Sequence, residues 1–412
     1  MTDNPSSYRQ LALDYHEFPR PGKLSVESSK PCATGAELSL AYTPGVAEPV
    51  REIHRNAGNA YRYTNKGNLV AVITDGTAVL GLGNVGPLAS KPVMEGKGVL
   101  FKHFAGIDVF DIEVEAPSVE SFIETVVNIA PTFGGINLED IAAPHCFRIE
   151  RELRERLDIP VFHDDQHGTA VVICAALINA LELQDKSLAA AKITFLGAGA
   201  AGMATARLLK AMGATDITLV NKSGVLHSGS ENVSEEVIDL LRDTEARTLA
   251  DAVEGADVFI GVSAANALPA DLLKTMAAKP IVFALANPDP EILPDQAQAV
   301  RDDIVMATGR SDFPNQVNNA LCFPYLFRGA LDAKAPQVSQ RMQIAAAYAL
   351  ADLAREPVPD SVLAAYDLDA LAFGPDYIIP KPFDPRLLEK VSTAVSDASL
   401  AEQAELQEKT GS

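Results

Sequence analysis

Two short stretches of the chain bring acidic side chains together in a way that could bind a divalent metal ion. "NLEDIAAPH" contains the adjacent acids Glu139 and Asp140, and "FHDDQHGTA" contains Asp164 and Asp165 where a strand-like run ends. Carboxylate oxygens are the ligands that Mg²⁺ and Mn²⁺ prefer, so three of these acids could hold such an ion beside a substrate. Acids in these places also favour or cap the start of a helix, and spacing alone does not decide between the two interpretations.

Histidines near the same acids raise a second metal hypothesis. His163 and His167 stand four residues apart, with His145 and Cys146 nearby. Two histidines at this spacing on one helix face would be suitable zinc ligands. The strand-like run before them and Gly168 after them predict that the segment is not helical, which makes zinc the weaker of the two metal hypotheses.

The chain contains two glycine-rich loops that match the dinucleotide-binding pattern G-x-G-x-x-G. The 197–202 loop, "GAGAAG", follows the β-branched run "KITFL" and precedes an Ala-rich helix, whose N-terminus could hold a pyrophosphate. The 81–86 loop, "GLGNVG", is followed by Pro87 and Pro92, which predict a helix of about one turn and no βαβ unit. We therefore predict that the 81–86 loop shapes a different site and that the cofactor is bound by Gly197, Gly199, Ala200, Ala201 and Gly202.

The end of the strand after the 197–202 loop indicates which dinucleotide binds. An acid there would grip the ribose 2′-hydroxyl of NAD, but this chain has Asn221 followed by Lys222. Asparagine does not repel a 2′-phosphate, and a lysine can pair with one. The pattern favours NADP over NAD, although Lys222 as an ordinary solvated lysine fits the sequence as well.

The elements that must position these residues are typical of an α/β protein. From about residue 190, β-branched runs alternate with helical periodicity, which predicts a Rossmann-type, doubly wound parallel sheet. The earlier residues predict a separate N-terminal α/β domain, with strands at 69–76, 98–106 and 159–165 and helices at 118–130 and 146–157. A long apolar helix at about 168–183 would join the two domains.

We place the domains as follows: an N-terminal catalytic domain at 1–165, an NAD(P)-binding Rossmann domain at 166–385 and a C-terminal helical tail at 386–412. The net charge of −21 argues against a nucleic-acid partner, because it repels a phosphate backbone. The four cysteines form no C-x-x-C pair, as is typical of reduced thiols. The chain shows neither a secretory signal nor an apolar run long enough to cross a bilayer, so we expect a cytoplasmic protein without a membrane partner.

Several long motifs, in order along residues 25–390, resemble the small bacterial malic enzymes. The resemblance is carried by "AYTPGVAEPVREI", "GLGNVGPLASKPVMEGKGVLFKHFAGIDVFDIEV", "INLEDIAAPHCFRIERELRERLDIPVFHDDQHGTA", "FLGAGAAGMATARLL", "ALANPDPEI" and "FPNQVNNALCFPYLFRGALD". These motifs are far more specific than a lone glycine pattern. The resemblance implies an oxidoreductase that converts L-malate to pyruvate and CO2, reduces NAD⁺ or NADP⁺ and depends on Mg²⁺ or Mn²⁺.

The resemblance also implies roles for individual residues. The family's metal ligands match Glu139, Asp140 and Asp165, which favours the metal interpretation of these acids over capping. Its catalytic residues match Lys97 and Tyr42, and Asp164 matches the carboxylate beside the lysine. The remaining matches are Asn287 as a substrate and cofactor contact, Asn319 as a substrate contact and Asn318 beside the nicotinamide.

Some expectations stay open at this level. Larger malic enzymes carry an arginine for a malate carboxylate where this chain has Ala78, so the group that grips the C4 carboxylate is unassigned. Our hypothesis is Lys381, reaching in from a neighbouring subunit of a homodimer; an arm that only holds the dimer together is the alternative. We expect no phosphotransacetylase-like domain. The alternatives to a malic enzyme are a malolactic enzyme, which releases lactate, and a non-catalytic NAD(P)-binding regulator.

Overall fold

Two β-sheets form the framework of the protein, whose computed structural model describes residues 5–79, 81–231 and 233–410. The strands of the N-terminal sheet are β1 Leu69–Thr74, β2 Asp108–Glu113, β3 Gly135–Leu138 and β4 Val161–His163. They are all parallel, in the order β2-β1-β3-β4. β1 is buried along its whole length, which explains its unbroken apolar sequence "LVAVIT".

The helices of this part of the chain are α1 Pro5–Glu17, α2 Gly35–Ala41, α3 Ala47–Arg55, α4 Ala60–Tyr63, α5 Pro87–Ala105, α6 Val119–Ile129 and α7 His145–Arg156. α6 and α7 confirm the two helices predicted here. Short 3-10 turns lie at Ala57–Asn59, Asn65–Asn68 and Ala130–Thr132.

The prediction of a strand at 98–106 is wrong, because these residues end the long helix α5. Pro87 occupies its first turn, where no backbone N–H is needed. Pro92 lies inside the helix, but Met94, Phe101 and Ala105 are buried on one face, and this burial outweighs the lost hydrogen bond.

The prediction that no βαβ unit follows the 81–86 loop is also wrong. β1 leads into this loop, α5 begins at its end, and β2 pairs in parallel with β1. The loop therefore introduces a helix in the N-terminal sheet, just as the 197–202 loop does in the second sheet.

The second sheet confirms the Rossmann-type prediction. Its strands are β5 Lys192–Leu196, β6 Asp216–Asn221, β7 Gly224–Leu226, β8 Val258–Gly261, β9 Ile281–Ala284 and β10 Val305–Thr308. The order is β10-β9-β8-β5-β6-β7, and the pairs are parallel except β6–β7. The short antiparallel strand β7 was not predicted, because its three residues carry no periodicity.

The remaining helices are α8 Asp164–Leu183, α9 Ala200–Ala211, α10 Leu249–Val253, α11 Pro294–Gln298, α12 Phe323–Asp332, α13 Gln340–Arg355, α14 Asp360–Ala365 and α15 Arg386–Thr410. α12 packs against α5 of the N-terminal part, and α15 packs against α12 and α13. Further 3-10 turns lie at Glu235–Leu240, Ala270–Thr275 and Asn319–Leu321.

Helix α8 joins the two sheets and begins earlier than the predicted residue 168. It starts directly after β4, and Gly168 lies within it, contrary to the prediction that this glycine breaks the helix. A Cβ on Gly168 would overlap the Asp164 side chain, so a glycine is needed here for close approach. By length and composition α8 could cross a membrane, but 72% of its apolar window is buried inside the fold, as in the core helix of a globular protein.

Candidate active site

The acidic residues singled out in the sequence meet at the carboxyl ends of two neighbouring strands. Glu139 and Asp140 follow β3, Asp164 and Asp165 follow β4, and β3 pairs in parallel with β4. One carboxylate oxygen from each of Glu139, Asp140 and Asp165 lies within 4.8 Å of the others. We call these three residues the carboxylate cluster.

The electrostatics of the carboxylate cluster are those of a site for a cation. Burial raises the pKa of Glu139 to about 7 and that of Asp140 to about 8, and the charge of Asp165 adds to both shifts. Burial likewise raises the pKa of Asp165 to about 6. Oδ2 of Asp140 is buried without a hydrogen-bond partner, and the residue has a positive φ of 52°. Like charges and an unpartnered oxygen would both be stabilised by a divalent cation.

The histidines and Cys146 do not form a comparable cluster that could bind zinc. Within the described ranges, the carboxylate cluster is the one place where three side chains that could bind a metal come together. No histidine or cysteine belongs to it. His163 is fully buried, and burial lowers its pKa to about 4. His167 instead pairs with the Glu150 carboxylate at 2.8 Å.

Lys97 lies beside the carboxylate cluster, on the buried face of α5. Its Nζ is 3.0 Å from Oε1 of Glu139 and forms an ion pair with Asp164, and only 7% of the residue is exposed. Nζ also lies 4.2 Å from the centroid of the Phe323 ring. Burial works to lower the pKa of Lys97, but the charges of Asp164 and Glu139 outweigh it and raise the pKa.

The 197–202 loop has the geometry that a dinucleotide-binding turn requires. It connects β5 to α9, and Gly199 is the residue before the first helical turn. A Cβ on Gly202 would overlap the Gly197 carbonyl oxygen, and one on Gly197 would lie 2.6 Å from the Val262 carbonyl oxygen. Glycine at these two positions lets the helix pack closely on the sheet, while the space around Gly199 is open to a ligand.

A cavity of about 940 Å³ connects the two parts of the molecule. The N-terminal part contributes Lys97 and the carboxylate cluster to its wall, and the cofactor-binding part contributes Ala201 from the 197–202 loop. The three asparagines that the sequence singled out also line it: Asn287, Asn318 and Asn319. The residues predicted for metal, substrate and nicotinamide therefore face one space.

Tyr42, Lys222 and Lys381 do not reach this cavity within their own chain. Tyr42 follows α2 and is 69% exposed. Lys222 is exposed, while Asn221 lines a second cavity of about 420 Å³ together with Ser223, Ser230 and Arg247. The Lys381 ammonium lies 5.5 Å from the Tyr366 ring centroid, in a segment that does not line the large cavity.

Sequence reasoning missed residues that the fold brings to these cavities. His16 and Lys23, from the start of the chain, line the large cavity. Arg247 lines the second one. None of them belongs to a pattern with a chemical meaning, and only the folded chain shows what they face.

Comparisons with known proteins identify the family of the chain. Residues 21–154 match the family model "Malic enzyme, N-terminal domain", and residues 166–365 match "Malic enzyme, NAD binding domain". A curated NADP-dependent malic enzyme of Halomonas elongata is 60% identical over 97% of this chain and 94% of its own length. A NAD-dependent malic enzyme of Rhizobium meliloti is 53% identical, and the match spans 95% of this chain but only 51% of that protein.

A solved structure gives the same result in three dimensions. The malic enzyme from Pyrococcus horikoshii superposes with a TM-score of 0.86 at 42% identity, covering 96% of this chain and 91% of that one. Family models, relatives and structure agree on both halves of the molecule. The chain therefore belongs to the malic enzyme family of NAD(P)-binding oxidoreductases.

Proposed function

We propose that this chain catalyses the oxidation and decarboxylation of L-malate to pyruvate and CO2, with reduction of NADP⁺ or NAD⁺ and dependence on Mg²⁺ or Mn²⁺. One observation carries the proposal: a single cavity is lined by the carboxylate cluster, by Lys97 and by the 197–202 loop. Hydride transfer requires the substrate carbon and the nicotinamide to be in contact, and this cavity has groups for both on its walls.

The carboxylate cluster fits a hard divalent cation, because it offers oxygen donors only and includes the unpartnered Oδ2 of Asp140. Glu139, Asp140 and Asp165 would hold the ion. When bound, it would supply positive charge beside the hydroxyl and carboxylate oxygens of malate, which eases loss of the hydroxyl proton and stabilises the enolate left by CO2.

Lys97, which is paired with Asp164, is the proton acceptor of the proposal. Lys97 must be neutral to accept the hydroxyl proton of malate, and its ammonium contacts Asp164 directly. Burial works to lower the pKa of Lys97, but the charges of Asp164 and Glu139 raise it, so Lys97 carries a proton that it must release to solvent before it can accept the proton of malate. A cation held by the carboxylate cluster would favour this release, because it would add positive charge beside the ammonium. Lys97 then takes the substrate hydroxyl proton as hydride moves to the nicotinamide.

NADP is the preferred cofactor in this proposal. Oδ1 of Asn221 accepts the Ser223 backbone N–H at 2.8 Å, and the side chain at this position carries no negative charge to repel a 2′-phosphate, although Glu231 lines the same cavity. Arg247 lines the cavity beside Asn221, and Lys222 is exposed next to it. Together they provide positive charge for a phosphate on the adenosine ribose.

A second copy of the chain would complete the site. No residue of α2, α3 or α4 is buried, so this part of the chain has no core of its own. It exposes large apolar side chains, namely Leu38, Leu40, Tyr42, Val46, Val50 and Tyr63. We propose that a homodimer covers this surface and brings Tyr42 of one protomer to the cavity of its partner, where the phenol protonates the enolate.

Complementation between two inactive variants tests this arrangement. Tyr42→Phe and Lys97→Ala are each expected to be inactive alone. Co-expressed, they should form hybrid dimers in which one of the two sites has both native residues, so activity returns. If Tyr42 acted within its own chain, every site of the hybrid would carry one defect and no activity would return.

A spectrophotometric assay tests the reaction itself. L-malate, Mn²⁺ and either NADP⁺ or NAD⁺ should give absorbance at 340 nm, equimolar pyruvate and CO2, and EDTA should abolish all three. Lactate formed without net absorbance change would show a malolactic enzyme instead. Cofactor binding without any product would show a non-catalytic regulator.

A further inference from the structure

The large cavity contains a second lysine, which no part of the proposed chemistry uses. Lys23 lies along helix α5, where its backbone N–H donates to Oε2 of Glu95 at 2.9 Å. Its Nζ donates to the carbonyl oxygen of Pro92 at 2.6 Å and lies 2.9 Å from Nε2 of His16. Both the backbone and the ammonium of Lys23 are therefore held against the helix that carries Lys97.

The ammonium of Lys23 has no anionic partner among the residues that the structure describes. Within the described residues no carboxylate lies within 4.0 Å of its Nζ, whereas Lys97 is paired with both Asp164 and Glu139. Nδ1 of His16 lies 2.7 Å from the Ala12 carbonyl oxygen, which places the ring proton on Nδ1 and makes Nε2 an acceptor. Two neutral acceptors thus orient the ammonium, and its third N–H remains for a ligand.

The burial of Lys23 makes an anion at this point favourable. Burial lowers the pKa of Lys23, and the more distant charge of Glu95 opposes this shift. An anion bound by the ammonium would offset the cost of keeping it charged inside the cavity.

The space next to Lys23 leads towards Lys97. Pro92, Gly96 and Lys97 all line the cavity from the same helix. Gly96 has no side chain, and a Cβ there would lie 3.6 Å from Lys23 Nζ, so the ammonium lies directly over this glycine. Lys97 follows Gly96 directly in the helix, so the two lysines line neighbouring parts of one cavity, where a four-carbon diacid could contact both.

Resting on the proposed function, we propose that Lys23, oriented by His16, binds the malate carboxylate remote from the carboxylate cluster, and so selects four-carbon dicarboxylates over 2-hydroxy monocarboxylates. That carboxylate, C4, is the group that leaves as CO2. The ion pair therefore exists with the substrate and is lost during the reaction, so it contributes to malate binding rather than to the chemical step.

This assignment replaces Lys381, for which a reach into a neighbouring subunit was our hypothesis. Lys381 is half-buried within its own chain against Tyr366 and does not line the cavity of that chain. The two lysines give opposite expectations for substitution. Loss of malate affinity in Lys381→Ala, but not in a Lys23 variant, would return the role to Lys381.

Steady-state kinetics of Lys23→Met and Lys23→Arg test the proposal, with Lys102→Met as a control from the exposed end of the same helix. Lys23→Met should raise KM for malate about 10- to 100-fold with kcat changed less than about threefold, and KM for NADP⁺ should not change. Lys23→Arg, which keeps the charge, should recover part of the affinity. The inhibition constant of oxalate should not change, because this two-carbon dianion has no carboxylate that corresponds to C4 of malate.

Calorimetric titration of malate into the Mn²⁺-loaded protein separates this inference from the proposed function. Binding by the native chain and weak binding by Lys23→Met would support both. Equal malate affinity of the two proteins would overturn the role of Lys23 but leave the proposed function intact. The same would follow if Lys23→Met weakened oxalate binding as much as malate binding. Absence of malate binding by the native chain would overturn the proposed function and with it this inference.

Discussion

The 81–86 and 197–202 loops have the same glycine pattern and the same place in a βαβ unit, yet they serve different purposes. In the 197–202 loop, added side chains at Gly197 and Gly202 would strike backbone oxygens, so these glycines let a helix lie close to its sheet. In the 81–86 loop, Gly83 and Gly86 have open space around their Cα atoms but φ values of 77° and 81°. These glycines are needed for backbone conformation.

The helix that follows each loop reflects this difference. α9 begins after Gly199 with alanines, which leaves its first N–H groups accessible to a phosphate. α5 begins with Pro87, which has no N–H. Its contribution to the site is Lys97, ten residues later, which faces the carboxylate cluster. A glycine pattern after a strand therefore predicts a turn into a helix, and the residues after it decide whether the helix binds a phosphate or presents a catalytic side chain.

Removing the side chain that α5 presents should have the largest effect. We expect Lys97→Ala to lower kcat by about 10²- to 10⁴-fold, because it removes the proposed proton acceptor. NADPH affinity, measured by fluorescence titration, should not change, because the 197–202 loop lies on the other sheet. Lys102→Ala, on the exposed end of the same helix, is the control; a comparable loss of kcat there would show that any damage to α5 is sufficient.

Crowding the 197–202 loop should separate cofactor binding from metal binding. A Cβ in Gly202→Ala would force α9 away from β5, and we expect NADPH affinity to fall about 10- to 100-fold. Mn²⁺ affinity, measured by electron paramagnetic resonance, should be retained. If Mn²⁺ affinity fell by the same factor, the substitution would be disturbing the fold as a whole and not the cofactor-binding loop alone.

The far end of the cofactor site should show a smaller effect. We expect Arg247→Ala to raise KM for NADP⁺ about tenfold, because one charged contact to the 2′-phosphate is lost. KM for NAD⁺, which has no such phosphate, is the internal control and should stay the same. Equal increases for both cofactors would remove Arg247 from phosphate recognition.

Substitution in the 81–86 loop should give the smallest effect on function. Gly83→Ala places a side chain at positive φ with room around it, so we expect a loss of about 1–2 kcal/mol in stability and unchanged cofactor affinity. Thermal unfolding with and without NADPH measures both quantities. A selective loss of NADPH affinity would mean that this loop, too, contacts the dinucleotide.

The Rossmann-type sheet could be predicted because its buried parallel strands are continuous apolar runs separated by amphipathic helices. Helix α5 could not, because Pro87 and Pro92 indicate a break, while the burial of Phe101 and its neighbours keeps the helix intact. The prediction that Gly168 breaks a helix failed for the same reason. Gly168 lies inside α8, where the absence of a side chain permits close contact with Asp164. In both places tertiary packing overrides a local preference.

The candidate site could be predicted in part. Asp165 can be placed at a strand end from the sequence, but strand β3 before Glu139 was not predicted. The meeting of the two acids depends on β3 and β4 being neighbours, which only the sheet order shows. The motif resemblance supplied the roles that spacing left open. No sequence pattern indicated a role for Lys23, because a single lysine after Pro-Gly belongs to no motif. Only the folded chain shows that it lines the cavity.

The most direct test of the central claim is the distance between the metal and the nicotinamide, since both must occupy one cavity. Mn²⁺ bound to the enzyme should broaden the proton magnetic resonances of the nicotinamide of bound NADP⁺ far more than those of its adenine. Asp140→Asn should abolish the effect by weakening the ion's hold. Equal broadening of both ring systems, or none while Mn²⁺ is bound, would contradict a shared site.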